Sequence, residues 1–449
     1  MIGSVSEKLT VEGNAGASAQ QRIAEGKNRR SVVSREVQAN LDPKDRRFHP
    51  ISVLLASGED RDRKLLPVKY GRMKESPFAF FRGAVSIMAA DLARLPNSGL
   101  HVQLCGDAHL QNLGSFAAPD GKLVFDLNDF DETIRGPWEW DVKRMAASFV
   151  LAGRESGHGR AACRGAADVC LESYCRSIQE FSREPVLQVA RHQVHREQRI
   201  KPVRAALRQS QRACPLDLLK KFTHPDVHGR PRFRDQRPLF WRIRGAAAKE
   251  ILRSVDEYRG TLAPVGRHLF DLFRSVDVGF KVVGTGSVGL RNYVVLFEGN
   301  GPEDPMFLQI KQEVASAYAK FLPGAPDQHH GLRVAEGQRA IQPLSDLFLG
   351  WTSIGARQYL VRQLSDHKGS IDLRLLRGGG LNTLAVVAGE LLARGHARSG
   401  DACQISGYCG GGVKIRKALA DFAVAYADQT EVDYQAFVAA IKRGDIKVE

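Results

Sequence analysis

The chain has 449 residues and 43% hydrophobic content, ample for two or three domains or for one large two-lobed enzyme. A formal net charge of +15 points to an anionic partner or substrate, leaving nucleotide, phosphorylated metabolite, nucleic acid and anionic membrane surface open. No run of eighteen apolar residues occurs, the first residues show no secretory pattern, and seven cysteines without CxxC pairing fit reduced thiols; the expectation is a cytoplasmic protein with no membrane partner.

Residues 1–45 are polar and without sustained period, which predicts a flexible tail. A second part, 46–175, begins with a helical pattern over 78–95, where Arg82 reads as a surface arginine rather than a phosphate-facing one. The most informative stretch follows, from Gln103 to Arg144. An apolar run stops at Gly106-Asp107, Asn112 comes five residues later, and a second run, Leu123–Leu127, delivers Asp129 and Asp131. Two short strands that end in carboxylate and amide oxygens suit a hard cation such as Mg²⁺. Asp141 then opens a helix to about Ser156, with Val142, Met145, Ala146 and Phe149 on one face.

The third part, 176–265, is a basic helical insert or linker. Its residues 176–245 hold 17 Lys and Arg against 6 Asp and Glu, an excess of 11. A strip with Arg230, Arg232, Arg234 and Arg237 beside Phe233, Phe240 and Trp241 is compatible with nucleic acid, although a solvated basic face is the favoured reading. The fourth part, 266–365, switches to period two and reads strand, glycine-rich turn, strand, turn, strand over 276–311. Gly284, Gly286, Ser287 and Gly289 join two strands rather than a strand and a helix, which excludes a dinucleotide fingerprint and fits a loop covering phosphates. Lys311 ends the third strand and shares a face with Phe307 and Gln309. Glu336, on the next helix, is the expected ion-pair partner of Lys311, with Glu313 as competitor. Residues 358–364 form a strand linking the two halves. The last part, 366–449, is helical, with helices from Asn382, over 415–428 and over 431–443; His396 and Asp401 read as structural.

The spacing of Asp107, Asn112 and the Asp129-Phe130-Asp131 triplet resembles the protein-kinase superfamily. There a base Asp precedes a metal-ligating Asn by five residues and a DFG-type Asp follows a hairpin. GDAHLQN is similar to the catalytic loop of aminoglycoside and choline phosphotransferases, and Asp141 resembles an Asp that braces that loop. The resemblance implies ATP and Mg²⁺, with Asp107 as base, Asn112, Asp129 and Asp131 at the metal, and Gly284, Gly286, Ser287 and Gly289 over the phosphates. Lys311 would orient those phosphates, braced by Glu336. His109 joins Asp107 and Lys311 among the catalytic candidates. The glycine loop follows the catalytic loop by about 180 residues, the reverse of the usual order. The expected fold is therefore α+β, a kinase-like bilobal architecture with circularly permuted motifs.

Several longer phrases, among them FFRGAVSIMAADLARLP, FDLNDFDETIRGPWEWDVKRMAAS and QYLVRQLSDHKGS, resemble the bacterial domain of unknown function 2252. That likeness implies no activity of its own. The expected function is transfer of a phosphoryl group from ATP to an anionic or hydroxyl-bearing small-molecule acceptor. The alternatives are a nucleotide-holding pseudokinase or nucleic-acid-binding protein, and a metal-dependent hydrolase with His109, Asp107, Asp129 and Asp131 around a metal.

Overall fold

In the computed structural model, residues 16–193, 200–212, 214–282, 284, 286–322, 324, 327–364 and 369–449 are described. They form a mixed α/β architecture: a six-stranded antiparallel sheet set beside a larger helical body that carries its own short hairpins.

The three strands expected over 276–311 are Arg274–Lys281, Asn292–Glu298 and Pro305–Glu313, paired in that order. Arg357–Gln363 and Gly350–Ile354 extend the sheet on one side and Phe240–Ile243 on the other. Strand alternation divides the side chains between two faces. Val295, Leu308 and Ile310 pack with Ile251 and Tyr258 of the helix Gly245–Thr261. Phe307, Val294 and Leu296 meet Phe222, Phe233 and Phe240 on the opposite face, and there Gln309 and Lys311 continue the row toward the helical body. Burying a side chain of this size is worth about 1.5–3 kcal/mol, so each face fixes the register of the strand bearing Lys311.

The basic strip is thus spent largely on structure. Phe233 and Phe240 are core residues, Trp241 stacks on Phe280 with centroids 4.2 Å apart, and Arg237 lies over the Trp241 ring. Arg232 pairs with Asp226 and Arg242 with Asp277. The part read as insert or linker divides: helices Lys201–Arg212 and Pro215–Phe222 precede the edge strand and the sheet-covering helix. Residues 194–199 of the basic stretch lie outside the described residues.

The helical body packs Trp138–Glu155, Arg160–Phe181, Gly380–Ser399 and Val413–Lys442 around a core that includes Phe149, Leu171, Leu384 and Leu419. Two helices expected near the C-terminus are one. Thr430 does not break the run, because its hydroxyl donates to the Tyr426 carbonyl within the helix at 2.8 Å. The helix expected over 78–95 is instead split at Ala84 into Pro77–Gly83 and Val85–Leu92. Strand Arg357–Gln363 leads toward Gly369–Ser370, which pairs with Leu113–Ala117 in the helical body; residues 365–368 lie outside the described residues.

The expectation of a flexible tail over 1–45 is corrected where the chain is described. Residues 1–15 lie outside that range, but Ala19–Val32 is a helix whose capping box joins Ser18 and Gln21. It docks through small residues rather than a large apolar stripe. Gly26 lies against the Gln404 backbone and Gly407 against Ile23, while Arg22 pairs with Asp401 at 3.1 Å. Polar composition hides this kind of contact. Among the described residues no helix is long and apolar enough to cross a membrane, and all seven cysteines are free.

Candidate active site

Strand His101–Leu104 delivers Asp107 through a turn that only glycine fits. Gly106 has φ +83°, and a Cβ there would collide with the Glu132 backbone. The turn is gripped from the helix Trp138–Glu155. Asp141 in its first turn accepts the N–H groups of Cys105 and Gly106 at 2.7 and 3.0 Å. Arg144, one turn on, donates Nε to Asp107 Oδ1 at 2.6 Å, donates to the Phe81 carbonyl and lies over the Phe81 ring. His396 backs Asp141 at 3.4 Å and accepts or donates with the Tyr174 hydroxyl at 2.8 Å, the structural part foreseen for it. Asp401 caps Ala402–Cys409, likewise structural.

Burial alone would push the Asp107 carboxyl up. Arg144, and after it His109, outweigh burial and hold it well below the usual carboxylate range. His109 accepts the Asn112 N–H at Nδ1, 3.1 Å away, which places the neutral ring's proton on Nε2, 3.5 Å from Asp107 Oδ2. Burial lowers the imidazole, so the ring stays neutral more readily than a free histidine. Asn112 donates Nδ2 to the Asp107 carbonyl at 2.7 Å, which orients its Oδ1 as the atom available to a cation.

Strand Leu123–Leu127 delivers Asp129 and Asp131 beside Lys311 of the sheet, 180 residues further along the chain. Lys311 is 4% exposed and bonds both carboxylate oxygens of Asp131; Asp129 Oδ1 is 3.7 Å away. Burial would lower the ammonium, but Asp129 and Asp131 hold it charged. Asp131 also accepts from the Ser287 hydroxyl at 2.8 Å, and Lys311 and Ser287 keep its carboxyl low against the effect of burial. Burial and the neighbouring Asp131 push Asp129 up, and its Oδ1 is enclosed without a hydrogen-bond partner. A carboxylate oxygen with no hydrogen bond and an oriented amide oxygen lining one cavity suit a hard divalent cation, with the Lys311 ammonium 3.7 Å from the former. Among the described residues, no three His, Cys, Asp or Glu side chains converge to hold a metal by themselves.

The glycine loop lies against this acidic segment. Gly284 and Gly289 have φ +65° and +93°; a Cβ on Gly289 would press on Arg61, and Gly286 faces open space apart from the Arg82 carbonyl at 4.0 Å. Arg61 donates to the Val288 carbonyl at 2.7 Å and the Asp62 N–H to that of Gly289 at 2.8 Å.

The structure thus brings together Asp107, His109, Asn112, Asp129, Asp131, Lys311 and the loop residues, but not Glu336. The helix His330–Ile341 seats Gly337 against Thr133 and sends Arg333 into the acidic turn. Arg333 donates to the carbonyls of Thr133, Asp131 and Val314, the last two at 2.8 Å. Glu336 falls on the side of Arg339, exposed, with its carboxyl raised by desolvation. The expected Lys311–Glu336 pair is replaced by Lys311–Asp131. Glu313 is buried nearby with Oε1 unpartnered and its carboxyl raised strongly by burial. Sequence reasoning missed Arg144 and Arg333 as site residues. Arg82 is also corrected: it lines the cleft with Asp107 and Asp129.

Two cavities meet here. One of about 790 Å³ is bounded by Lys311, Gln309, Gln338, Arg362, Gln363 and Leu364. Another of about 340 Å³ is bounded by Asp107, His109, Asn112, Lys69, Arg82 and Glu132. Asp129, Gly284 and Ser287 border both.

Sheet, helical body and acidic cleft define an α+β protein with a polar, charged site where they meet. The chain belongs to the family described as an uncharacterized protein conserved in bacteria (DUF2252), whose pattern matches residues 61–440. No curated protein and no solved structure matches it.

Proposed function

We propose that this protein is an ATP- and Mg²⁺-dependent phosphotransferase acting on a hydroxyl acceptor, with a kinase-like two-lobed architecture in permuted motif order. The observation that carries the reading is the convergence of Asp107, Asn112 and Asp129 from one segment with Lys311 and the glycine loop from another, around one cleft. The larger cavity, with apolar Leu364 and Leu218 beside Lys311, suits a nucleotide; the smaller holds Asp107 and suits the acceptor.

The acceptor oxygen forms a bond to the terminal phosphorus of ATP, the bond from that phosphorus to its bridging oxygen breaks, ADP leaves, and the hydroxyl proton passes to Asp107. A carboxylate held ionised is a weak base, which suffices where the transition state is loose and proton transfer is late. His109 and Arg144 fix the carboxylate, and Lys311 positions and neutralises phosphate charge. Asn112 and Asp129 would hold Mg²⁺, which supplies charge neutralisation at the phosphates when bound.

One observation favours a second reading, a nucleotide-holding protein without turnover: Lys311 is engaged by Asp131 rather than by a helix glutamate. The hydrolase alternative finds less support, since His109 Nδ1 is already occupied by the Asn112 amide and Asp131 by Lys311. The deciding experiment is thermal stability with Mg²⁺ and a non-hydrolysable ATP analogue against Mg²⁺ alone, followed by ADP release with acceptors. Ligand at about a hundred times its Kd adds about 2.7 kcal/mol. No shift with any nucleotide overturns the proposal; a shift with no turnover across acceptors favours the second reading.

A further inference from the structure

Among the described residues, three cations at the smaller cavity lack direct ion-pair partners, whereas two of its carboxylates are already engaged. Asp107 is paired with Arg144 and Asp131 with Lys311. Arg61, Lys69 and Arg82 line the same cavity, and among the described residues none of the three forms an ion pair. Lys69 is only 2% exposed, and Arg82 Nε is enclosed with no hydrogen-bond partner. Burying cations without a direct ion-pair partner is costly, and an anionic ligand in the cavity would supply one.

We propose that this cavity is an anion subsite for the acceptor, so that the molecule phosphorylated carries a phosphate or carboxylate group as well as the reacting hydroxyl. The inference rests on the phosphotransferase reading for the word acceptor, and on Lys69, Arg61 and Arg82 for the anion. Asp107 lines this cavity and is absent from the wall of the larger one, so an anion seated on Lys69 and Arg82 leaves the attached hydroxyl facing the base. Arg61 is partly committed, since its guanidinium also donates to Val288 and so ties the subsite to the glycine loop. A cavity of about 340 Å³ suits a small metabolite rather than a folded partner.

The test is calorimetric titration of the full chain with inorganic phosphate, in the presence of saturating Mg²⁺ and a non-hydrolysable ATP analogue. Phosphate is expected to bind alongside the analogue. Lys69→Met and, separately, Arg82→Gln should each weaken phosphate by about tenfold or more while analogue affinity stays unchanged, the loss of one charged hydrogen bond. Arg82 is less deeply buried than Lys69, so Arg82→Gln serves if Lys69→Met does not fold. Absence of phosphate binding, displacement of phosphate by the analogue, or unaltered phosphate affinity in both variants overturns the subsite. If the analogue does not bind at all yet both variants lose phosphate, the anion subsite stands and the phosphotransferase reading falls.

Discussion

Arg144 and Asp107 form an ion pair in which the guanidinium is fully buried while the carboxylate remains 19% exposed at the cleft. The arginine is locked at the Phe81 carbonyl and ring, so it fixes where the carboxylate points. Removing either partner leaves the other poorly solvated. Arg144→Leu is expected to cost about 3–5 kcal/mol in denaturant unfolding, and Asp107→Asn in that background should recover part of it. The pair also predicts acid sensitivity. Asp107 is held below its unfolded value, so its contribution is complete above about pH 4 and disappears as pH falls further. Arg144→Leu should flatten that acid limb; an unchanged limb would mean that Arg144 does not hold the carboxylate.

Asp107→Asn tests the proposed base directly. The amide keeps the shape of the carboxylate and loses its proton affinity, so turnover should fall by about a hundredfold or more while nucleotide affinity holds. Asp129→Ala should instead remove the part of nucleotide affinity that depends on Mg²⁺. Full turnover in Asp107→Asn would refute the assignment.

Much of this site was legible because its geometry is local. Gly106-Asp107, Asn112 and Asp129 are spaced by turns and short strands that the sequence displays, and the glycine loop sits between two runs of strand-forming residues. Asp141 was foreseen as the brace and does bind the loop backbone. What stayed hidden depends on packing at a distance. Glu336 and Arg333 share one helix, and only its seating through Gly337 on Thr133 decides that the arginine enters the site. Arg144 reads as an ordinary helix arginine until Phe81 closes over it. The docked helix Ala19–Val32 was invisible for the same reason, since its contacts run through Gly26 and Gly407 instead of a hydrophobic stripe.

Asp141 should matter for the stability of the Asp107 turn. Asp141→Ala leaves the Cys105 and Gly106 N–H groups buried without acceptors, at about 1–3 kcal/mol each. The expected loss is about 2–5 kcal/mol by denaturant titration. A cost under about 0.5 kcal/mol, the level of an ordinary surface change, would show that the turn holds without its brace.

Glu313 carries a stability penalty that grows with pH. Burial, with Asp131 adding, raises its carboxyl well above the usual range, and Oε1 has no partner. A raised carboxyl contributes stability below its unfolded pKa, near 4.3, and loses it as pH rises toward the folded value. Glu313→Gln removes that loss. Its melting temperature should match the parent near pH 4 and exceed it at pH 8. Equal melting temperatures at both pH values would mean that Glu313 is compensated by Lys311.

On the phosphotransferase reading, Asp131 competes with an incoming phosphate for Lys311. It holds the ammonium and accepts from Ser287, so the glycine loop and the lysine are both tied to one carboxylate. On that reading a nucleotide would take Lys311 from it, and a cation would share it. Asp131→Asn should therefore shift affinity in opposite directions. Binding of the ATP analogue in a chelator should tighten by up to about tenfold, because Lys311 no longer has a charged competitor. The further gain on adding Mg²⁺ should shrink, because one anionic oxygen has left the metal side of the cleft. The two effects separate in a titration of analogue with and without Mg²⁺. Weaker binding in both conditions would show that Asp131 serves only to position Lys311, and would leave Asp129 and Asn112 as the metal ligands.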